Sequence, residues 1–433
     1  MEPLLVGFLG IAATLVLVLC GAPVGATLGL VAFCGLWKLL TFQSAVSMSV
    51  SLPFEFVADW SLSAVPMFIL MGFVAAKSGI AGSIFRVLSL LLFRLPGGLA
   101  CASVGACAVF ASASGSSVAT AAAMGRVCIP EMSRAGYRGS LAAGCVAASG
   151  TLGSLIPPSI LIIIYAYFAE VSISAMFLAA LLPGLVTAIF YAIMIVTRVF
   201  INPDLAPGDT IRTERGDLIS SFKQVFFFPL LVFVVLGGVL AGIFTPTEGG
   251  AIGAASACVI ALAFYRMPLS ELGATILESA RSTCSIFFIA VGAVIYARFI
   301  FLSGIPQFVT DAFGGGNVNT SMFVLQVALI LIILGMFVDA ISLMLITLPV
   351  FIPVANSMGL DLIWFGIVII KLIEIGLVTP PVGMNVYVIA GVVKGQIDMI
   401  EIFKGAAWFI LMDLAIVFLL VAFPSALILR SAQ

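Results

Sequence analysis

Stretch after stretch of this chain is apolar over the ~20 residues that a helix needs to cross a bilayer. The runs fall near 4–20, 22–42, 52–77, 139–169, 172–200, 225–243, 247–265, 282–303, 360–393 and 404–428. Of 433 residues, 63% are apolar and 9% charged, where soluble domains average about 45–50% and 25%. With a mean hydropathy of +1.31, one aqueous core cannot hide the apolar surface, and lipid must serve as solvent. A secreted domain, a nucleic-acid binder and a cytosolic enzyme are excluded together. The net charge of −1 gives no case for a polyanion partner. There is no His, so any proton relay must rest on Asp or Glu. The 8 Cys stand singly without a CxxC, which reads as small apolar packing rather than a zinc or redox site. The N-terminus lacks a basic n-region and reads as a retained first span.

Basic residues set the orientation. With residue 1 outside, 14 of the 18 Lys and Arg fall on or near the inside; Lys38, Arg298, Lys371 and Arg430 do not. The positive-inside rule favours that arrangement. The polar stretch from Asn202 to Lys223 is the clear loop and divides the chain. Two further apolar segments, 97–133 and 306–357, are interrupted at their centres. The first is flanked by Arg and should enter from the cytoplasm and return. The second has no Lys or Arg and should enter from outside. Stretches 78–96 and 267–281 are expected to lie at the interface.

The two halves rhyme at a fixed offset of 223: Pro23 with Pro246, Pro130 with Pro353, Gly136 with Gly359, Pro157 with Pro380 and Pro158 with Pro381. An odd number of crossings per half inverts the second half. The expected fold is therefore an all-α polytopic membrane protein, an inverted-topology repeat with two re-entrant hairpins and two broken helices. Repeat one spans 1–201 with hairpin 97–133 and broken helix 139–169. A cytoplasmic connecting loop covers 202–223. Repeat two spans 224–433 with hairpin 306–357 and broken helix 360–393.

Irregular backbone at membrane depth must be buried in protein or line a watery cavity. One hairpin tip reads ASASGSSVAT and the other GMFVDAIS, with Ser116 opposite Asp339. Close helix packing would also use such small residues, but hydroxyls and freed carbonyls at a hairpin centre supply the oxygens a hard cation wants. The broken helices read AASGTLGSLIPPS and EIGLVTPPVGMN. Proline removes a donor and pushes its predecessor from the α region, so each doublet ends one half-helix and starts another. The new N-terminus suits a carboxylate. Candidate Na⁺ ligands are Ser112, Ser114, Gly115, Ser117, Gly150, Thr151 and Gly153 for one ion, and Gly335, Val338, Asp339, Gly376, Thr379 and Pro380 for another. Ser116, Ser154, Pro158, Ser159, Gly383, Met384 and Asn385 are expected on the substrate side. Asp339 could carry a proton instead. Glu374, three residues after Lys371, reads as a local ion pair, and Glu248 as a helix N-terminal charge. Asp413 has no assignable partner. No nucleophile–base set or metal cluster is legible, so the chain reads as a transporter rather than an enzyme.

Taken in order, ASASGSSVATAAAMGRVCIPEM, GTLGSLIPPS, FTPTEGGAIGA, GMFVDAISLMLITLPVFIPV and GLVTPPVGMNVYV resemble the large membrane subunit of the tripartite ATP-independent periplasmic (TRAP) transporters. The resemblance spans almost the whole chain. It implies Na⁺-driven import of an organic acid, such as a C4-dicarboxylate or sialic acid, across the bacterial inner membrane. It also implies a periplasmic substrate-binding protein, a small four-helix membrane subunit, and an elevator motion of hairpins and broken helices against a scaffold.

Overall fold

The structure is a computed structural model that describes residues 2–207, 226–312 and 320–428. The connecting loop beyond residue 207, with Arg212, Arg215 and Lys223, lies outside the described residues, as does Arg430. Within them the chain is helical and carries no strand. The helices are α1 (Pro3–Leu19), α2 (Val24–Leu39), α3 (Phe42–Ala58), α4 (Ala64–Lys77), α5 (Ile80–Leu92), α6 (Gly98–Ser114), α7 (Ser117–Arg134), α8 (Gly139–Ser149), α9 (Leu152–Leu155), α10 (Ile160–Phe168) and α11 (Ile173–Ile201). After the connecting loop come α12 (Phe227–Leu240), α13 (Pro246–Ala263), α14 (Leu269–Leu302), α15 (Ile305–Ala312), α16 (Thr320–Gly335), α17 (Ala340–Ser357), α18 (Leu362–Val378), α19 (Met384–Val393), α20 (Met399–Ala422) and α21 (Pro424–Leu427).

Among the described residues six helices are long and apolar enough to cross a membrane, or seven if α8–α10, bent by 42°, count as one span. The remaining apolar helices are shorter because the chain interrupts them. Large side chains such as Phe233, Phe200 and Phe418 stay exposed, as they must where the solvent is lipid. The buried apolar residues form one contiguous cluster.

Helix boundaries recur at the offset seen in the sequence. Ser117–Arg134 and Ala340–Ser357 are the same stretch shifted by 223, and Ser116 and Asp339 are their N-caps. Ser116 accepts from the Ala119 N–H at 3.4 Å and Asp339 from the Ser342 N–H at 3.1 Å. A capping oxygen there satisfies one donor of the first helical turn.

Two boundary expectations need correction. The run 52–77 is not one helix. Asp59 adopts an extended conformation and its carboxylate accepts the Ser61 N–H at 2.8 Å, capping a 3₁₀ turn over Trp60–Ser63 before α4 begins. Conversely, 267–281 is not a separate interfacial segment. No proline interrupts Leu269–Leu302, so α14 is one helix of 34 residues, and Glu271, Glu278 and Arg281 lie along it. Glu248 behaves as expected, closing a capping box with Thr245 at the start of α13.

Close backbone approach sets α8 against α20. A Cβ added to Gly405 would collide with the Ser140 carbonyl, and one on Gly144 would lie 2.5 Å from the Gly405 carbonyl carbon. Neither obstacle is a flexible side chain. Gly405→Ala is expected to cost about 1–3 kcal/mol as an overpacked site. Gly237→Ala, where an added Cβ would meet nothing beyond its own helix within 4 Å, should leave the apparent Tm of the detergent-solubilised protein unchanged or higher. Thermal unfolding of the two variants side by side checks this.

Candidate functional site

The hairpin of α6 and α7 turns at Gly115, whose φ of +58° is left-handed. Glycine is needed twice there, for that conformation and because a Cβ would stand 3.0 Å from the Pro158 carbonyl oxygen. The tip therefore rests on the break between α9 and α10. The Ile160 N–H donates to the Gly115 carbonyl at 3.2 Å. In the second half the Gly383 N–H, 223 residues after Ile160, donates to the Met336 carbonyl at 3.3 Å, two residues before the position that matches Gly115. Each broken helix is thus hydrogen-bonded to the hairpin of its own half. Both doublets contain a cis peptide, Pro157–Pro158 and Pro380–Pro381.

Hydroxyls crowd the first junction. Ser114 Oγ and Thr120 Oγ1 are 2.6 Å apart, Ser117 Oγ contacts Ser154 Oγ, and Ser159 Oγ donates to the Ser154 carbonyl at 2.5 Å. A Cβ on Gly153 would lie 2.7 Å from the Ser116 carbonyl oxygen, so Gly153 faces the same tip. At the second junction Gly335 and Gly376 meet backbone to backbone: a Cβ on Gly376 would lie 2.8 Å from the Gly335 Cα. Ser112 lies apart, with its hydroxyl returned to the Val109 carbonyl of its own helix at 2.7 Å.

The carbonyls expected to be freed by the breaks are partly reclaimed. Gly150, Thr151 and Gly376 accept from Gly153, Ser154 and Thr379 at 3.1, 2.9 and 3.1 Å. These tight turns recover bonds that the helix loses, which buried backbone demands. Each carbonyl oxygen retains a second lone pair.

A cavity of about 620 Å³ brings the two tips together. Ser114, Gly115, Ser116 and Ser117 line it from one hairpin, Asp339, Ala340 and Ile341 from the other, with Ser154 and Leu377 from the broken helices. Lys77 and Arg126 also line it, and Lys77 pairs with Glu278 at 3.2 Å. Of the expected substrate-side residues, Ser116 and Ser154 face this cavity. Asn385 does not: fully buried, it crosses to α8 and donates to the Ala147 carbonyl at 3.2 Å. Pro158, Ser159, Gly383 and Met384 lie at the breaks and do not line it, and Val338 is buried beside the second tip. Pro157 and Pro158 are buried, whereas Pro380 and Pro381 are exposed and Thr379 is half-exposed.

Sequence reading missed a polar cluster close to the breaks. Lys371 Nζ lies 2.9 Å from Glu374 Oε2 and 2.8 Å from Asp413 Oδ1. The Tyr191 hydroxyl lies 2.7 and 2.8 Å from the two Asp413 oxygens. All four residues are wholly buried, joining α18, α20 and α11. The i,i+3 spacing announced the first pair; the partner of Asp413 is a tertiary contact with no local signal.

A helical bundle with apolar outer faces, and with paired hairpin tips and interrupted helices around a shared cavity, defines a multi-pass membrane transporter. The chain belongs to the family described as the tripartite ATP-independent periplasmic transporter, DctM component, whose model matches residues 11–426. It is a protein of the bacterial inner membrane. It is 35% identical over 357 residues, 82% of each chain, to a C4-dicarboxylate TRAP transporter large permease protein of Pseudomonas aeruginosa. It is 31% identical over 410 residues, 94% of each chain, to a sialic acid TRAP transporter large permease protein of Vibrio cholerae. A sialic acid TRAP transporter permease protein of Haemophilus influenzae matches 96% of this chain with 67% of its own length, at 30% identity. Among solved structures, MtrF of Neisseria gonorrhoeae shares the fold, with a TM-score of 0.62 over 100% of this chain and 97% of that one at 14% identity.

The buried cluster yields a stability prediction. Lys371→Met leaves two carboxylates without their cation and is expected to destabilise the protein by about 3–5 kcal/mol. Adding Glu374→Gln and Asp413→Asn removes the stranded charges and should recover much of that loss. The apparent Tm and monodispersity in detergent measure both.

Proposed function

We propose that the chain is the membrane component of a Na⁺-coupled importer of an organic acid anion of the C4-dicarboxylate or sialic acid class. The observation that carries this reading is the cavity shared by both hairpin tips, where Ser114, Ser116, Ser117, Ser154 and Asp339 set oxygens into a mostly apolar lining that also carries Arg126 and the Lys77–Glu278 pair. Relatives named for C4-dicarboxylate and sialic acid transport support the substrate class. Family membership supports the two partners, a periplasmic substrate-binding protein that delivers the acid and a small four-helix membrane subunit.

In this reading the halves 1–201 and 224–433 are inverted repeats, and the recurrence of helix boundaries at one offset, with a tip-to-break hydrogen bond in each half, supports it. The donor set fits a hard cation, since the junctions offer oxygens and no thiol. Ser114, Gly115, Ser117, Gly153 and the carbonyls of Gly150 and Thr151 would hold one Na⁺, with Ser112 further out. Gly335, Val338, Asp339, Gly376, Thr379 and Pro380 would hold the second. Bound Na⁺ supplies positive charge beside the cavity, where an unpaired anion at membrane depth costs several kcal/mol. Ser116 and Ser154 offer hydroxyls to the acid from opposite sides of the first junction, and Arg126 lowers the cost of its charge along the cavity wall, where Lys77 is already paired with Glu278. With most basic residues inside, the cavity flanked by Lys77 and Arg126 opens to the cytoplasm, the delivery end of an elevator movement. Hairpins and broken helices, tied by the Ile160–Gly115 and Gly383–Met336 hydrogen bonds, would move as one body. Each net positive charge carried inward draws about 2.3 kcal/mol from a 100 mV potential.

Uptake of a panel of organic acids into proteoliposomes, with a candidate binding protein, tests the reading. Ser117→Ala and Asp339→Asn are each expected to raise the Na⁺ concentration for half-maximal uptake by about tenfold. Unchanged Na⁺ dependence in both variants overturns the assignment. Uptake driven by a pH gradient without Na⁺ transfers the coupling to a proton on Asp339.

A further inference from the structure

A second cavity, of about 820 Å³, lies on the outer flank of the bundle between the end of α11 and the start of α20. Its polar rim carries Arg138, Arg198, Lys404 and a single carboxylate, Glu401. Its wall is apolar, with Phe190, Ile193, Ile201, Trp408 and Met412. Among the described residues none of the three cations forms an ion pair. The Arg198 guanidinium lies 4.7 Å from the centre of the Trp408 ring, and its Nη1 is buried without a hydrogen-bond partner. A buried donor left unmade costs about 1–3 kcal/mol, so the groove presents an unmet demand for an acceptor.

The apolar wall continues along both helices. Leu185, Ile189 and Ile193 of α11 are exposed, as are Leu411, Leu414 and Phe418 of α20. That surface faces the hydrocarbon region, and the basic rim sits at the helix ends where the polar headgroups begin. An apolar slot capped by cations at the membrane boundary matches one chemistry, a phosphate with an acyl chain beneath it. Arginine suits the phosphate as a planar fork of donors.

We propose that this groove is a binding site for an anionic phospholipid. Its headgroup phosphate lies between Arg198, Lys404 and Arg138, and an acyl chain runs down past Trp408 and Ile193. The lipid would bridge α11 and α20, the two helices that carry Tyr191 and Asp413 of the buried cluster. The site therefore ties the surrounding leaflet to the helices behind the broken segment α18.

Trp408 is the reporter. The full-length protein in detergent is titrated with phosphatidylglycerol or phosphatidylcholine bearing brominated acyl chains, which quench tryptophan on contact. The Trp408 signal is the difference between the native chain and Trp408→Phe. Phosphatidylglycerol is expected to quench it at lower concentration than phosphatidylcholine. Arg198→Gln with Lys404→Gln should shrink that preference about fivefold for each charge removed. Should the double variant not fold, Lys404→Gln alone, on an exposed side chain, gives the same comparison. Equal quenching by the two lipids, or a preference unchanged by the substitutions, overturns the proposal. So does displacement of the lipid by millimolar inorganic phosphate, which would reassign the rim to a free anion.

Discussion

A backbone N–H or C=O that meets hydrocarbon without a partner costs several kcal/mol, and this constraint organises the chain. The interrupted segments can exist at membrane depth only by bonding one another. The breaks and the hairpin tips are therefore one feature. Gly115 gives its carbonyl to Ile160 and Met336 gives its carbonyl to Gly383. Glycines at 153, 335 and 376 let the backbones come close enough for the junctions to close. The hydroxyls of Ser114, Ser117, Thr120, Ser154 and Ser159 fill the polar space that remains. The oxygens that make these junctions tolerable in a membrane are the same atoms proposed to hold a cation.

What was legible in the sequence is what local chemistry dictates. Proline doublets announced the breaks, a Ser–Gly cluster announced a tip, and the repeated Pro23 and Pro246 marked equivalent helix starts. Lys371 and Glu374, one helical turn apart, announced their own contact. The errors lie where hydropathy and structure part. Asp59 ends α3 inside a run that reads as one span, because a short-range side-chain cap outcompetes continued helix. The start of α14 carries charges that end an apolar window but do not end a helix. Asn385 and Asp413 find partners in α8 and α18 that only the packed bundle brings near. Their roles could not be read from spacing.

The buried cluster also shows where the two halves part company. Lys371, Glu374 and Asp413 stand at the offset positions of Ala148, Thr151 and Phe190. One half keeps small or apolar side chains where the other sets its charges, and Tyr191 is the first half's contribution to the network. A chain assembled from two copies of the opening half would have nothing to anchor its second interrupted helix at this point. A chain made from two closing halves would bury two amines and four acids against each other. The correspondence still visible in the prolines is lost here, and the two segments can no longer trade places.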